Sequence, residues 1–246
     1  MATLALSPSP FIDPASPPLS PDKFRDPLWT ATGERRAKVT LGSLKTLWFN
    51  TGTLCNLACT SCYIESSPTN DALSYLTLAE VDRFLEEVDA PTEIGFTGGE
   101  PFMNPEIMAM LEHALGRGHR VLVLSNAMRP MRRHEAAILA LAARYPAKLT
   151  IRVSVDHHTQ AVHEQERGPN SWDRAIDGLK WLAANGVPLA VAGRMLPGES
   201  EATSRTGYAA LFGRLGIDLG ARDPSALVLF PEMNAAADIP EISEGC

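Results

Sequence analysis

Residues 55–62 read Cys-Asn-Leu-Ala-Cys-Thr-Ser-Cys, which puts three of the chain's four cysteines into eight positions. Cys55, Cys59 and Cys62 are spaced by three residues and then by two, and the fourth cysteine, Cys246, is the last residue. Thiolates are metal ligands, and three this close together in a stretch that also holds Asn56, Thr60 and Ser61 are poor core packing. Four cysteines in 246 residues do not make a disulfide framework either. Two metal chemistries stay open. A structural zinc site closes with four ligands, and the first histidine of the chain, His113, would have to arrive through the fold. An iron–sulfur cluster held by only three cysteines keeps one iron free to bind a ligand.

A second stretch, Gly95 to Pro105, reads Gly-Phe-Thr-Gly-Gly-Glu-Pro-Phe-Met-Asn-Pro. Gly98 and Gly99 let the backbone come close to a ligand, and Glu100 can accept a hydrogen bond from an ammonium group. Taken alone, the turn Gly98 to Pro101 is an ordinary tight turn.

Both stretches follow β-prone runs, and those runs recur. TLWFN (46–50), EIGF (93–96), VLVLS (121–125), TIRVSVD (150–156), VPLAVAG (187–193) and ALVLF (226–230) alternate with helical patterns, giving six β/α units. Thr77 and Glu80 form a capping box ahead of Leu78, Val81, Phe84, Leu85 and Val88 at helical spacing. Pro105 after Asn104 opens a helix that Gly118 can stop; Ser171 can cap another, with Trp172, Ile176, Leu179 and Leu182 on its apolar face and Gly186 ending it. The nearly continuous apolar strands predict a parallel sheet covered on both faces by right-handed crossovers. Six units fit an α/β partial (β/α)6 barrel better than a closed barrel of about 250 residues. Ligands of such sheets sit at the carboxyl ends of the strands, where the cysteines fall.

The expected division is 1–43 as a Pro/Ser-rich arm and lead-in, 44–235 as the partial barrel, and 236–246 as a tail. Residues 2–22 hold six prolines and four serines, the composition of a disordered arm with no role in the fold. A net charge of −7 without like-charge blocks argues against nucleic acid and anionic membranes. No apolar run reaches the roughly 18 residues a membrane span needs, and the start lacks the features of a signal peptide, so a cytoplasmic protein is expected.

Taken together, CNLACTSC after the first strand, the GGEP turn after the second and the strand-end placement of both resemble the radical S-adenosylmethionine (SAM) superfamily. The resemblance covers roughly residues 44–230. It is strongest to the branch containing the molybdenum-cofactor cyclase and the peptide-modifying SPASM enzymes, because ERGPNSWDRAIDGLKWLAANGVPL (166–189) is similar to that branch's region between strands four and five.

The resemblance implies that Cys55, Cys59 and Cys62 hold a [4Fe-4S] cluster whose open iron binds the amino and carboxylate groups of SAM. It places Gly98, Gly99, Glu100 and Pro101 in the turn that meets the methionine amino group, and Tyr63 beside adenine. Ser154 and Asp156 match an S-[LV]-D strand end near the ribose or carboxylate, with simple strand-end capping as the alternative. Asn126 follows the third strand where Ala127 replaces the family's usual glycine. Arg194 can pair with the SAM carboxylate or form a solvated salt bridge, and Phe230 can flank adenine or pack in the core. His157, His158, His163 and Glu166 lie near the fourth strand's rim without an assigned catalytic role.

The implied chemistry is reductive cleavage of SAM to a 5′-deoxyadenosyl radical that abstracts hydrogen from an unidentified peptide, cofactor precursor or small metabolite. It needs a one-electron reductant, flavodoxin- or ferredoxin-like. Cys246 stands where related chains begin an auxiliary-cluster extension, so a truncated chain is plausible at this point. Two other readings remain open: a zinc-stabilised α/β binding protein, and a relative that holds the cluster but acts only through a partner.

Overall fold

The computed structural model describes residues 9–231 and 236–246. Six strands, β1 (Thr46–Asn50), β2 (Glu93–Thr97), β3 (Arg120–Ser125), β4 (Leu149–Ser154), β5 (Leu189–Arg194) and β6 (Leu227–Phe230), pair in chain order. Every pair is parallel. Since β1 and β6 are the sheet's two edges, the barrel is unclosed, as the six-unit count predicts.

Seven helices accompany the strands among the described residues: α1 (Leu78–Leu85), α2 (Ile107–Gly116), α3 (Arg129–Arg132), α4 (Glu135–Arg144), α5 (Gln160–Arg167), α6 (Ser171–Ala184) and α7 (Glu201–Leu215). The Thr77–Glu80 capping box is formed in both directions, and Val81 and Leu85, one turn apart, are the residues α1 buries. Ser171 is not the cap of α6. Asn170 takes that position in the left-handed region at φ 62°, where its short polar side chain is tolerated, and Ser171 Oγ donates to the Gly168 carbonyl at 2.7 Å. Ile94, Phe96, Val121, Val123, Ile151, Val153 and Val191 of the strands lie fully buried with Leu111, Leu115, Leu179 and Phe212 of the helices. Each such side chain contributes about 1.5–3 kcal/mol relative to exposure, so this layer holds the strand ends in place.

The Pro/Ser-rich segment departs from expectation. Residues 2–8 lie outside the described residues, but from Ser9 onward the chain is packed. Phe11 is only 1% exposed. Prolines break helices and strands, but an extended chain can still dock through its remaining polar groups and its aromatic side chains. Here Leu19 N donates to Ala236 O at 2.7 Å, Pro18 bridges Ala237, Arg36 bridges Ser243, and Lys23 pairs with Asp238 at 2.8 Å. The described part of the leading flank, 9–43, and residues 236–246 therefore run against each other rather than apart. Among the described residues no helix is long and apolar enough to cross a membrane.

Candidate cofactor site at the strand ends

The cysteine loop leaves β1 and is tied down along its length. Thr51 N donates to Thr97 O at 2.8 Å, extending the β1–β2 ladder, and Cys55 N donates to Ser67 O at 3.0 Å. The carboxylate of Glu166, in α5, holds the middle of the loop. Its Oε1 accepts from Ser61 N at 3.0 Å and Ser61 Oγ at 2.7 Å, its Oε2 from Ser9 Oγ at 2.6 Å, and its carbonyl from Thr60 N at 2.9 Å. Cys55, Cys59 and Cys62 thereby line one cavity of about 530 Å³ together with Gly98, Gly99, Asn126, Ser154, Asp156, Arg167 and Arg194.

Burial pushes the Cys55 thiol up to about 12, although the Leu57 amide donates to its sulfur at 3.4 Å. Cys59 is raised as well, by burial first, against the lowering influence of Arg167. Such thiols give up their protons when a metal takes them, and the Arg167 guanidinium is the charge that offsets the resulting thiolates.

On the β2–β3 side the wall is made of backbone. Gly98 sits at φ 137°, and a Cβ at Gly99 would stand 2.1 Å from Leu54 O. Only glycine allows that approach, which Gly99 N to Gly52 O (2.8 Å) and Glu100 N to Leu54 O (3.1 Å) then lock. The side chain of Glu100 does not line the cavity. It is 2% exposed and accepts from Ser125 Oγ (2.9 Å), Asn126 N (2.9 Å) and Phe102 N (3.2 Å), joining the loop after β2 to the end of β3. Burial raises its carboxyl to about 7 in spite of these donors. Pro101 is buried at the start of a 3-10 turn, Pro101–Met103, and does not line the cavity either. Asn126 does, donating through Nδ2 to Asn56 Oδ1 at 2.9 Å and lying 4.0 Å from the Cys55 sulfur. Ala127 adopts φ 58°, the left-handed conformation that makes glycine usual at this position.

On the β4–β5 side the wall is charged. Asp156, 3% exposed, accepts from Arg167 Nε at 2.6 Å and Nη2 at 3.0 Å, with Arg194 Nε 3.9 Å away. Burial acts to raise the Asp156 carboxyl, but Arg167 outweighs it and the net direction is down. Arg194 also contacts Ser61 Oγ, lies 3.5 Å from Glu166 and covers the Phe11 ring at 5.5 Å. Ser154 lines the cavity between these walls, Tyr63 is 70% exposed at its mouth, and Phe230 lines its β6 side. His157, His158 and His163 are not among the lining residues.

Three contributors have no role assigned from the sequence. Arg167 opens the Arg-Gly-Pro-Asn-Ser run inside the 166–189 stretch, and its pairing with Asp156 has no local signal. Glu166 is legible only as a rim residue. Arg152 shares the inward face of β4 with Ser154 two residues on, a strand alternation that could have identified it. Its Nε is buried without a hydrogen-bond partner, and burial lowers its pKa.

This donor set fits an iron–sulfur cluster. Among the described residues, His157, His158 and Glu199 are the trio of His, Cys, Asp and Glu donors gathered within 4.8 Å, and the three cysteine sulfurs are spread wider. A tetrahedral zinc with bonds of about 2.3 Å would bring thiolates to about 3.8 Å of one another. Three wider-set thiols facing a cavity suit a polynuclear cluster with one exposed iron.

Comparison with known proteins agrees. The family model of the Radical SAM superfamily matches residues 49–205. The subtilosin biosynthesis protein AlbA of Bacillus subtilis is 31% identical over 144 residues, covering 56% of this chain and 30% of AlbA. The mycofactocin maturase MftC of Mycobacterium tuberculosis is 28% identical over 134 residues, covering 54% of this chain and 32% of MftC. The matched stretch is thus about a third of each relative's length. Among solved structures, Streptococcus suis SuiB bound to S-adenosylmethionine superimposes with a TM-score of 0.59 at 14% identity, covering 80% of this chain and 43% of that one. That likeness is one of fold. With most of the barrel inside the family match, the chain belongs to the radical SAM superfamily.

Proposed function

We propose that this protein is a radical SAM enzyme working in the cytoplasm, with residues 44–235 carrying the chemistry and the flanks bracing it. The observation that carries this reading is the convergence of three unpaired cysteines and the Gly98–Gly99 turn on one cavity. Cys55, Cys59 and Cys62 would hold a [4Fe-4S] cluster. When bound, it supplies the electron that cleaves SAM to methionine and a 5′-deoxyadenosyl radical able to take hydrogen from a substrate.

The chain's own residues bind and orient. The Gly98–Gly99 backbone lies open to an ammonium group, Arg194 offers a guanidinium to a carboxylate, Ser154 and Asn126 offer hydrogen bonds to a ribose, and Tyr63 a ring to adenine. Asp156 and Glu100 act one step back, by fixing Arg167 and the loop after β3. The electron would come from a flavodoxin- or ferredoxin-like donor. The substrate is a peptide, a cofactor precursor or a small metabolite; SuiB, solved with its precursor peptide at a TM-score of 0.57, favours a peptide.

Anaerobic purification followed by iron, sulfide and zinc counts, then dithionite and SAM, tests the reading. The expected result is about four irons per chain and release of 5′-deoxyadenosine, both lost in Cys59→Ser. One zinc held by the cysteines with no iron would overturn it, and a full cluster without deoxyadenosine would mark a relative acting through a partner.

A further inference from the structure

A second group of metal donors lies behind the charged wall. His157 and His158 follow β4 after Val155 and Asp156, and Glu199 ends the loop after β5, one residue before Ser200, which caps α7. The ligand atoms of the three lie within 4.8 Å of one another. His157 Nε2 and His158 Nδ1 are both buried without a hydrogen-bond partner, and His157 Nε2 faces Glu199 Oε2 at 3.8 Å, too far for a hydrogen bond. The side chains are 5% and 12% exposed, so bulk water is a poor substitute. The two rings lie side by side with centroids 4.0 Å apart, and the His158 ring is wedged against α7, where a Cβ at Gly207 would come within 2.5 Å of it.

We propose that His157, His158 and Glu199 bind one divalent transition-metal ion, Zn²⁺ foremost, as a staple between the loops after β4 and β5. Two imidazoles and a carboxylate are a zinc donor set, with a fourth position left for water. A cation between them satisfies both orphaned nitrogens and the carboxylate at once. Thr159 Oγ1 lies 2.8 Å from His157 Nδ1, and the Thr159 amide donates to the same nitrogen at 3.1 Å; the tautomer whose Nε2 faces a metal keeps the Oγ1 contact as acceptor of the Nδ1 proton and requires the amide to turn away. The staple sits beside the cofactor cavity, since Asp156 precedes His157 and Arg194 precedes the loop that carries Glu199.

The test separates this site from the cysteines. Cobalt is titrated into three forms of the full chain: the cluster-loaded protein, Cys55→Ser/Cys59→Ser/Cys62→Ser, and Glu199→Gln, which retains an oxygen for the Leu196 amide that Glu199 accepts at 3.1 Å. The expected result is one cobalt per chain with visible ligand-field bands in the first two forms. In Glu199→Gln the affinity falls by ten-fold or more while the iron content stays, and the loaded forms melt several degrees higher than the metal-free ones. The proposal is overturned if no cobalt binds to the cluster-loaded chain, if uptake disappears with the cysteines, or if Glu199→Gln binds cobalt as the parent does. His157→Asn/His158→Asn, checked by circular dichroism to be folded, must show the same loss.

Discussion

The two walls of the cofactor cavity are built from opposite materials. The wall after β2 and β3 is neutral: two glycines pressed on the cysteine loop, and one carboxyl held by a hydroxyl and two amides. The wall after β4 and β5 is ionic, with Asp156, Arg167, Arg194 and Glu166 in a linked set. Burial acts on both carboxyls in the same direction, yet Glu100 ends up raised to about 7 and Asp156 lowered. Neutral donors offset part of a desolvation penalty, whereas a bidentate guanidinium reverses it. The neutral wall can therefore relax by taking a proton, and the ionic wall has no such escape near neutral pH.

The sharpest way to break the contrast is Arg167→Leu. It removes both Arg167 hydrogen bonds to Asp156 and leaves a buried carboxylate whose nearest cation among the described residues is Arg194 at 3.9 Å. The expected loss is about 3–5 kcal/mol, read as a lower urea midpoint, with partial recovery in Arg167→Leu/Asp156→Asn. Equal loss in single and double variants would show that the pair is not coupled.

His163 stands behind the same wall, its Nδ1 accepting from Asp156 N at 3.2 Å. Burial first, then Arg167, pushes it down to about 4 from an ordinary 6.5. A depressed histidine is neutral in the folded state, so its contribution is complete above pH 6.5 and lost as the pH falls from 6.5 towards 4. The acid limb of the stability curve should steepen there by up to about 3 kcal/mol, and His163→Gln should flatten it. An unchanged limb would count against the assignment.

On the neutral wall, Gly99→Ala tests shape instead of charge. The added carbon would meet the Leu54 carbonyl at 2.1 Å, one residue before Cys55. Overpacking of this kind costs about 1–3 kcal/mol, and here it also displaces a cysteine. Iron uptake is expected to fall more than stability does, and normal iron loading would refute that.

The same division explains what the sequence disclosed. All six strands, the capping box of α1 and the three cysteines are local signals, written in periodicity, turn chemistry and spacing. Gly98 and Gly99 were legible too, although the close approach they permit is first to the Leu54 backbone. Glu100 was recognisable as a motif residue but not as a buried link to Ser125, because its partners lie 25 and 26 residues away. Arg167 and Glu166 were harder still. Their contacts to Ser61 and Asp156 depend on α5 folding back over the rim, and the Glu166–Ser9 bond spans 157 residues. From Ser9 onward the Pro/Ser-rich segment was illegible for a related reason: composition reports what a stretch cannot form by itself, not what it can dock against.

Ser125→Ala gives the smallest effect and the finest test of the comparison. It deletes one of three donors to Glu100 and the acceptor of the Ala127 amide at 2.9 Å. Ser125 lowers the Glu100 pKa, so its loss raises a group that is already high. A carboxyl raised in the fold contributes stability below about pH 4.5, and that contribution is lost as the pH rises through the folded value. The variant should thus lose little at pH 5, where Glu100 carries its proton, and about 1 kcal/mol more at pH 8, where it does not. Arg167→Leu should also cost more at pH 8 than at pH 5, because without the guanidinium burial is left to raise the Asp156 carboxyl. If Ser125→Ala costs the same at both values, Glu100 is ionised throughout, and the two walls differ in their donors but not in their charge.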